Sequence, residues 1–223
     1  MTQLGFSVQP TPRLVSDAQI ATFRDFAVAN ISDAMSRTNG TSHLRPYHRN
    51  GRLIGRALTV KTAPGDNLMV HKAIKMAQPG DVIMVDAGGY LLSAVVGELM
   101  STTAAHKGIA GFVIDGAIRD SEVIGKGDFG VFARGVAHRG PYKEGPGEIN
   151  VPISIDGMVT MPGDLIVGDH DGVLAIRPNT LDALGALVVD IEEKEKKILL
   201  SIANGTIDKS WIDETLRRKG VDI

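Results

Sequence analysis

An arginine followed directly by an aspartate, Arg119 and Asp120, closes the apolar run "IAGFVIDGAI". The planar guanidinium fork can grip a carboxylate or a keto oxygen through two parallel hydrogen bonds. A carboxylate beside it can hold a hard divalent cation, directly or through water. Upstream, "GELM" spans Gly97 to Met100. If that segment opens a helix, its unpaired amides offer an anion site, and Gly97 lets a ligand approach closely. Glu98 would add a second carboxylate. Arginine, amides and a metal ion around a small keto acid would stabilise an enolate, the charge that develops when a C–C bond beside pyruvate breaks. Each part also has a plain structural reading. Arg-Asp neighbours are common on loops, and a mid-helix Gly97 would remove the amide site.

These residues need elements to position them. "DVIMVDAGG" reads as an apolar strand ending at Asp86 and two glycines, followed by a helix through "SAVVGELMSTTAAHKG". "IAGFVIDGAIRD" is a second apolar strand, ending at Asp115, a glycine and the Arg-Asp pair. Near-continuous apolar strands separated by helices predict a parallel sheet covered on both faces. A right-handed crossover would leave both carboxyl ends on one edge, where ligands of open α/β sheets collect. That edge should hold Gly88, Gly89, the start of the next helix and the loop from Asp115 to Asp120.

The remaining elements are read the same way. "SDAQ" (Ser16 to Gln19) has the spacing of a capping box, with Ile20, Phe23 and Ala27 following at helical spacing. A short helix covers "ISDAMSR", and a strand ends in Ala57 to Val60. "PGDNLMVHKAIKMAQPGD" is a helix with Met69, Val70, Ala73, Ile74 and Ala77 on one face. Beyond residue 130, Gly and Pro break the chain into several short strands. A charged helix then runs from Thr180 through "DIEEKEKKILLSI", with a shorter one around Trp211. "GDHDG" (Gly168 to Gly172) lacks the later acidic ligands of a calcium loop and reads as a tight β-turn. No repeat and no linker divides residues 1–223, so one α/β domain is expected, with residues 180–223 as a helical extension.

The totals exclude several classes. At 223 residues, 43% hydrophobic and 22% charged, the composition is that of an ordinary globular protein. A net charge of -2 gives no general pull toward nucleic acid or anionic membrane. Cysteine is absent, which removes disulfides, thiolate metal sites and a cysteine nucleophile. The N-terminus lacks a basic segment leading an apolar core, and no apolar run approaches the ~20 residues of a bilayer span. A cytoplasmic protein with no membrane or nucleic-acid partner is the expectation. His71, His106 and His138 have no metal-ligand spacing and read as helix or surface residues. No dinucleotide or P-loop glycine pattern and no serine elbow is present.

Taken together, "NISDAMSR", "GRALTVKTAPGDNLMVHKAI", "GDVIMVDAGGY", "GELMSTTAAHKGIAGFVIDGAIRD" and "GPYKEGPGEINVPISI…PGDLIVGDHDGV" resemble the family of 4-hydroxy-4-methyl-2-oxoglutarate / 4-carboxy-4-hydroxy-2-oxoadipate aldolases. That family also contains the regulator of ribonuclease E activity A. The resemblance runs from about residue 15 to residue 215. It implies an α/β fold related to the swivelling phosphohistidine domain, assembled as a homotrimer or as a homohexamer of paired trimers. It implies class II pyruvate aldolase chemistry with Mg²⁺ or Mn²⁺.

Carried over by position, Gly97, Glu98, Leu99 and Met100 fall on the loop whose amides hold the pyruvate carboxylate. Arg119 falls on the arginine that binds the pyruvyl oxygens, and Asp120 on the metal-binding aspartate. Glu98 falls where the family has an acidic residue holding metal-bound water. A further glutamate is expected from the C-terminal helix of a neighbouring subunit, with Glu195 the first placement and Glu192 the alternative. The implied reaction cleaves a 4-hydroxy-2-oxo acid to pyruvate and a second oxo acid, and decarboxylates oxaloacetate through the same enolate.

Three alternatives stand beside it. A protein-binding regulator of the ribonuclease type would need no metal, but the retained segment "DIEEKEKKILLSIANGTIDKSW" favours an enzyme, since such regulators resemble a shortened version. The same scaffold could take another oxo acid, with Tyr90, His43 and Arg45 as candidates for lining the pocket for its other half. Lys61, Lys72 and Lys107 invite a Schiff-base route.

Overall fold

The structure, a computed structural model, describes residues 4–223. Strand β1 (Phe6–Val8) leads into α1 (Asp17–Phe23) and α2 (Val28–Ala34). The capping box forms as expected: the Gln19 amide donates to Ser16 Oγ at 3.2 Å, and the Ser16 amide donates to Gln19 Oε1 at 3.0 Å. Next come β2 (Arg45–Pro46), β3 (Leu53–Thr62), α3 (Leu68–Met76), β4 (Asp81–Val96), α4 (Glu98–His106), β5 (Gly111–Ile118) and α5 (Ser121–Lys126). The short strands follow: β6 (Gly130–Val136), β7 (Gly147–Ile149), β8 (Ile153–Ile155), β9 (Met158–Thr160), β10 (Leu165–Asp169) and β11 (Gly172–Ile176). Helices α6 (Leu181–Ala203) and α7 (Ser210–Arg218) close the chain.

Strands β3, β4, β5 and β6 pair in parallel and form the centre of a large mixed sheet. Antiparallel β7 and β10 add to β3, and β2 adds to β6. "GDHDG" is the tight turn between β10 and β11, with Asp169 opposite Gly172.

Every residue of β5 is buried, as a central parallel strand covered on both faces requires. Strand alternation divides the core. Leu58, Val60, Ile83, Val85, Phe112 and Ile114 meet α3 and α4 on one face. Ala57, Val82, Met84, Val113 and Phe132 meet the β8–β9 hairpin and β10–β11 on the other. Burying each of the larger of these side chains contributes about 1.5–3 kcal/mol. Helix α3 lays Met69, Val70, Ala73 and Ile74 into the first core, the face expected from their spacing. The first half of α6 packs Leu181, Leu184 and Val188 with residues of α1 and α2. Its second half leaves Ile198, Leu199, Leu200 and Ile202 exposed, as are Trp211 and Ile212 of α7.

The helix expected over "ISDAMSR" stops at Ala34, with Ser36 and Arg37 in the left-handed region, and α1 ends at Phe23 before Ala27. The boundary that bears on the site also differs from the sequence reading. Strand β4 does not stop at Gly89, and the following helix does not begin at Ser93. Strand pairing resumes through Val96, and α4 starts at Glu98. Ala94, Val95 and Val96 are fully buried in the sheet, and that burial outweighs their helix-compatible spacing. Between Asp86, opposite Asp115, and Val96, opposite Ile118, β4 makes an excursion turned by Gly88 and Gly89 at φ 67° and 69°. These glycines therefore turn the chain. The excursion returns β4 to register in time to set Gly97 beside the end of β5.

Candidate active site

The Arg119 amide donates to Val96 O at 3.0 Å, the last rung between β5 and β4. Just past that rung both chains leave the sheet, and their next residues share one corner. Gly97 caps α4 in extended conformation, so "GELM" does open the helix. Asp120 caps α5 in the left-handed region, at φ 56° and ψ 32°, and its side chain does not bond to its own helix. Asp120 Oδ2 instead accepts the Glu98 amide at 3.0 Å and lies 3.7 Å from Arg119 Nε. Both side chains remain about two-fifths exposed, 42% for Arg119 and 40% for Asp120, and so are open to a ligand.

Glycine is needed at two points of this corner. A Cβ on Gly97 would lie 2.5 Å from Asp120 Oδ2 and 2.9 Å from Arg119 Cγ. A Cβ on Gly140 would lie 3.0 Å from Arg119 Nη1. The guanidinium thus runs between two backbones that must lack side chains.

Gly97, Leu99, Met100, Arg119 and Asp120 line one cavity of about 250 Å³. The first-turn amides of α4 after Glu98 have no intrahelical acceptor, as at any helix N-terminus. They face a region where the helix dipole favours an anion. A carboxylate at those amides and an oxyanion under Arg119 can belong to one small keto acid.

Asp120 is the group that could hold a divalent cation. Its Oδ2 is committed to the Glu98 amide, while Oδ1 carries no hydrogen bond from the described residues. Among those residues no cluster of three or more His, Cys, Asp or Glu side chains forms a ready metal cage. A single carboxylate fits Mg²⁺ or Mn²⁺, which keep waters and take further oxygens from substrate.

The expected glutamates are placed elsewhere in the chain. Glu98 lines an adjoining cleft with Val123 and Phe129, and its amide reaches the corner through Asp120. Glu195, midway along α6, accepts Asn30 Nδ2 at 2.9 Å. Neither Glu195 nor Glu192 lines the Arg119 cavity of its own chain. His43 Nδ1 lies 2.8 Å from Asp156 Oδ1, Tyr90 packs over Gly65, and neither they nor Arg45 line the cavity. Lys107 caps the end of α3 and Lys61 and Lys72 lie outside the cavity.

Three residues that the sequence left aside do line it: Asn67, His71 and Lys143. Asn67 and His71 stand four apart at the start of α3, a spacing that places them on one helix face. Lys143 comes from a Gly- and Pro-rich loop whose sequence carries no periodicity. That loop is fixed by Asp66, which is almost fully buried. Asp66 Oδ2 accepts the Glu144 and Gly145 amides at 2.6 and 2.9 Å, and Oδ1 accepts the Leu68 amide at 2.9 Å. Burial, with the nearby Lys143 ammonium, pushes the His71 imidazole below its ordinary value.

With this geometry established, the comparisons with known proteins identify the family. The model of the RraA-like family, described as Aldolase/RraA, matches residues 28–175. This chain belongs to the RraA-like family. Its RraA-like relatives include a protein of Halalkalibacterium halodurans provisionally named a 4-hydroxy-4-methyl-2-oxoglutarate aldolase, 44% identical over 80% of this chain and 88% of that one. The 4-hydroxy-4-methyl-2-oxoglutarate aldolase of Thermus thermophilus is 35% identical over 56% of this chain and 76% of its own. Among solved RraA-like structures, the RNA-processing inhibitor RraA from Thermus thermophilus superposes with a TM-score of 0.63 at 30% identity. It covers 67% of this chain and 92% of its own. No helix among the described residues is long and apolar enough to cross a membrane.

Proposed function

We propose that this protein is a divalent-metal-dependent class II pyruvate aldolase. It cleaves a 4-hydroxy-2-oxo acid, 4-hydroxy-4-methyl-2-oxoglutarate or 4-carboxy-4-hydroxy-2-oxoadipate, to pyruvate and a second oxo acid. The observation that carries this reading is the convergence of Arg119, the α4 amides and Asp120 on one small cavity. The aldolase names of its relatives support it.

The C1 carboxylate of the substrate sits at the amides of Leu99 and Met100. The Arg119 fork spans the pyruvyl oxygens and holds the C2 oxygen as negative charge grows on it. The C3–C4 bond breaks, its electron pair passing into the C2–C3 enolate, while C4 becomes a carbonyl. The C4 hydroxyl proton goes to a carboxylate, assigned to Glu98 or to Glu195 of an adjacent copy, through an ordered water. The enolate then takes a proton at C3 and leaves as pyruvate. A divalent cation at Asp120 supplies Lewis-acid polarisation of the 2-oxo group when bound. Oxaloacetate loses CO₂ to give the same enolate, so oxaloacetate decarboxylation is a second activity of this site.

Because the chain's own α6 glutamates do not line its cavity, the reading includes assembly as a homotrimer or homohexamer. The exposed Ile198, Leu199, Leu200 and Ile202 support such packing of α6 on a neighbour. The reading is tested by exchange of the methyl protons of pyruvate with D₂O in the presence of Mg²⁺, followed by NMR. Enolate formation predicts exchange. Absence of exchange together with absence of oxaloacetate decarboxylation would bring forward a non-catalytic, protein-binding role.

A further inference from the structure

Helices α4 and α5 both begin at the Arg119 corner, Gly97 capping one and Asp120 the other. Between them, and closed by Phe129, lies the adjoining cleft of about 250 Å³, which shares no lining residue with the Arg119 cavity. Glu98, Ser101, Thr102 and Ala105 line it from α4 at i, i+3, i+4 and i+7, one face of that helix. Val123 and Ile124 line it from α5. Glu98, Thr102, Ala105 and Val123 are exposed and make the rim, while Ser101 and Ile124 are buried and make the floor. Phe129 is half-buried and packs edge-on against Phe112 of the core, with ring centroids 5.7 Å apart.

The floor carries a polar atom that the fold does not satisfy. Ser101 is 6% exposed, and its Oγ has no hydrogen-bond partner among the described residues. A serine inside a helix ordinarily bonds back to the carbonyl one turn earlier. Thr103 of the same helix does so, its Oγ1 donating to Leu99 O at 2.7 Å. At Ser101 only the amide takes that route, donating to Gly97 O at 3.1 Å. A buried hydroxyl beside a cleft is costly unless something in the cleft bonds to it.

Charge and size limit what that partner can be. Glu98 lines the cleft, and no Lys or Arg among the described residues does. His106 Nδ1 donates to Thr102 O at 2.9 Å, which ties its imidazole to its own helix. An oxo acid suited to Arg119 is therefore repelled here. Ala105, Val123, Ile124 and Phe129 supply apolar surface. The volume suits one ring and falls below that of a drug-sized pocket.

We propose that this cleft binds a neutral one-ring hydroxyarene and that the bound ligand regulates the corner. The ring lies against Val123, Ile124 and Phe129, and the hydroxyl bonds to Ser101 Oγ. A ring held between the two helices bears on the hydrogen bond from the Glu98 amide to Asp120 Oδ2, which joins their first turns. Cleft and corner belong to one conformation, so a ligand that binds the first stabilises the second.

Phenol is the probe, with toluene as the same shape lacking the hydroxyl and benzoate as the acid. Binding is followed by ligand-observed NMR at millimolar concentration, the range of one-ring ligands. Saturable phenol binding is expected, with toluene and benzoate each about tenfold weaker, the worth of one hydrogen bond or more. Ser101→Ala should bring phenol down to the level of toluene. Ala105→Phe, at an exposed position, should fill the cleft and abolish binding. Coupling is read at the Arg119 and Asp120 amide resonances, which belong to residues outside the cleft, and in the exchange of pyruvate methyl protons. Phenol should shift both resonances and raise the exchange rate about fivefold in the wild type, with neither effect in Ala105→Phe. No saturable phenol binding, or binding undiminished in both variants, would overturn the site. Binding that moves neither resonance would overturn its regulatory role. Shifted resonances without exchange in any sample would tell against the aldolase reading and leave the cleft standing.

Discussion

The Glu98 amide donates to Asp120 Oδ2 at 3.0 Å, joining the first turn of α4 to the residue that follows Arg119. One hydrogen bond thus couples the amides assigned to the substrate carboxylate to the carboxylate assigned to the metal. It forms because β4 and β5 leave the sheet at the same level, and because Gly97 has no side chain to hold them apart.

Gly97→Ala should therefore disturb chemistry more than folding. The added methyl would lie 2.5 Å from Asp120 Oδ2, and either that carboxylate or Arg119 must move. Misplacing a reacting group by about 1 Å costs on the order of 100-fold in rate. We expect a loss of that size in kcat/KM for oxaloacetate decarboxylation, with an unchanged far-UV circular dichroism spectrum. Full activity in this variant would show that the corner is not the reacting site.

Arg119→Lys keeps the charge and removes the fork. Loss of a preorganised oxyanion donor costs about 10²–10³ in kcat, and a drop of that size is expected. Asp120→Ala should abolish metal-dependent turnover and Mn²⁺ binding, read by calorimetry, while the thermal unfolding midpoint stays near that of the wild type. Mn²⁺ affinity retained in Asp120→Ala would move the metal elsewhere.

A second charged cluster gives a prediction about stability. Arg134 bridges Asp115 at 2.5 Å and Asp156 at 2.8 Å, and Asp156 also accepts the Ser42 and His43 amides. Burial opposes ionisation of Asp156, but these donors outweigh it and hold the carboxyl well below the ordinary value of 3.8. A folded pKa below the unfolded one gives stability that is present above the unfolded value and lost as pH falls from there through the folded value. Asp156→Asn should be destabilised relative to the wild type by about 3 kcal/mol near neutrality. Urea unfolding should show that difference shrinking as pH drops below about 4. A difference independent of pH would contradict the ionised bridge.

The exposed apolar residues of α6 give a further prediction. Replacing Leu199 and Ile202 together by aspartate should dissociate a trimer or hexamer into smaller species, measured by light scattering after gel filtration. An unchanged assembly would place the subunit contact on another surface.

Much of this was legible in the sequence because the relevant signals are local. The Ser16 to Gln19 box, the face of α3 and the largely apolar, buried β5 follow from spacing alone, and "GELM" and the Arg119–Asp120 pair mark the corner. The extension of β4 to Val96 was not legible. "SAVV" suits helix and strand alike, and burial beside β5 decides between them. His71 was passed over because a single histidine on an amphipathic helix carries no ligand spacing. Lys143 was missed because its position depends on Asp66, far away in sequence, capping the amides of its loop. Glu195 was expected from a neighbouring subunit, and α6 does not line its own chain's cavity.

The central claim is most directly tested by measuring pyruvate released from 4-hydroxy-4-methyl-2-oxoglutarate, with Mg²⁺, after EDTA, and after Mg²⁺ is restored. The account predicts release with Mg²⁺, loss with EDTA and recovery on adding the metal back. Release that persists undiminished in EDTA would contradict the metal-dependent mechanism, and no release under any metal would contradict the aldolase itself.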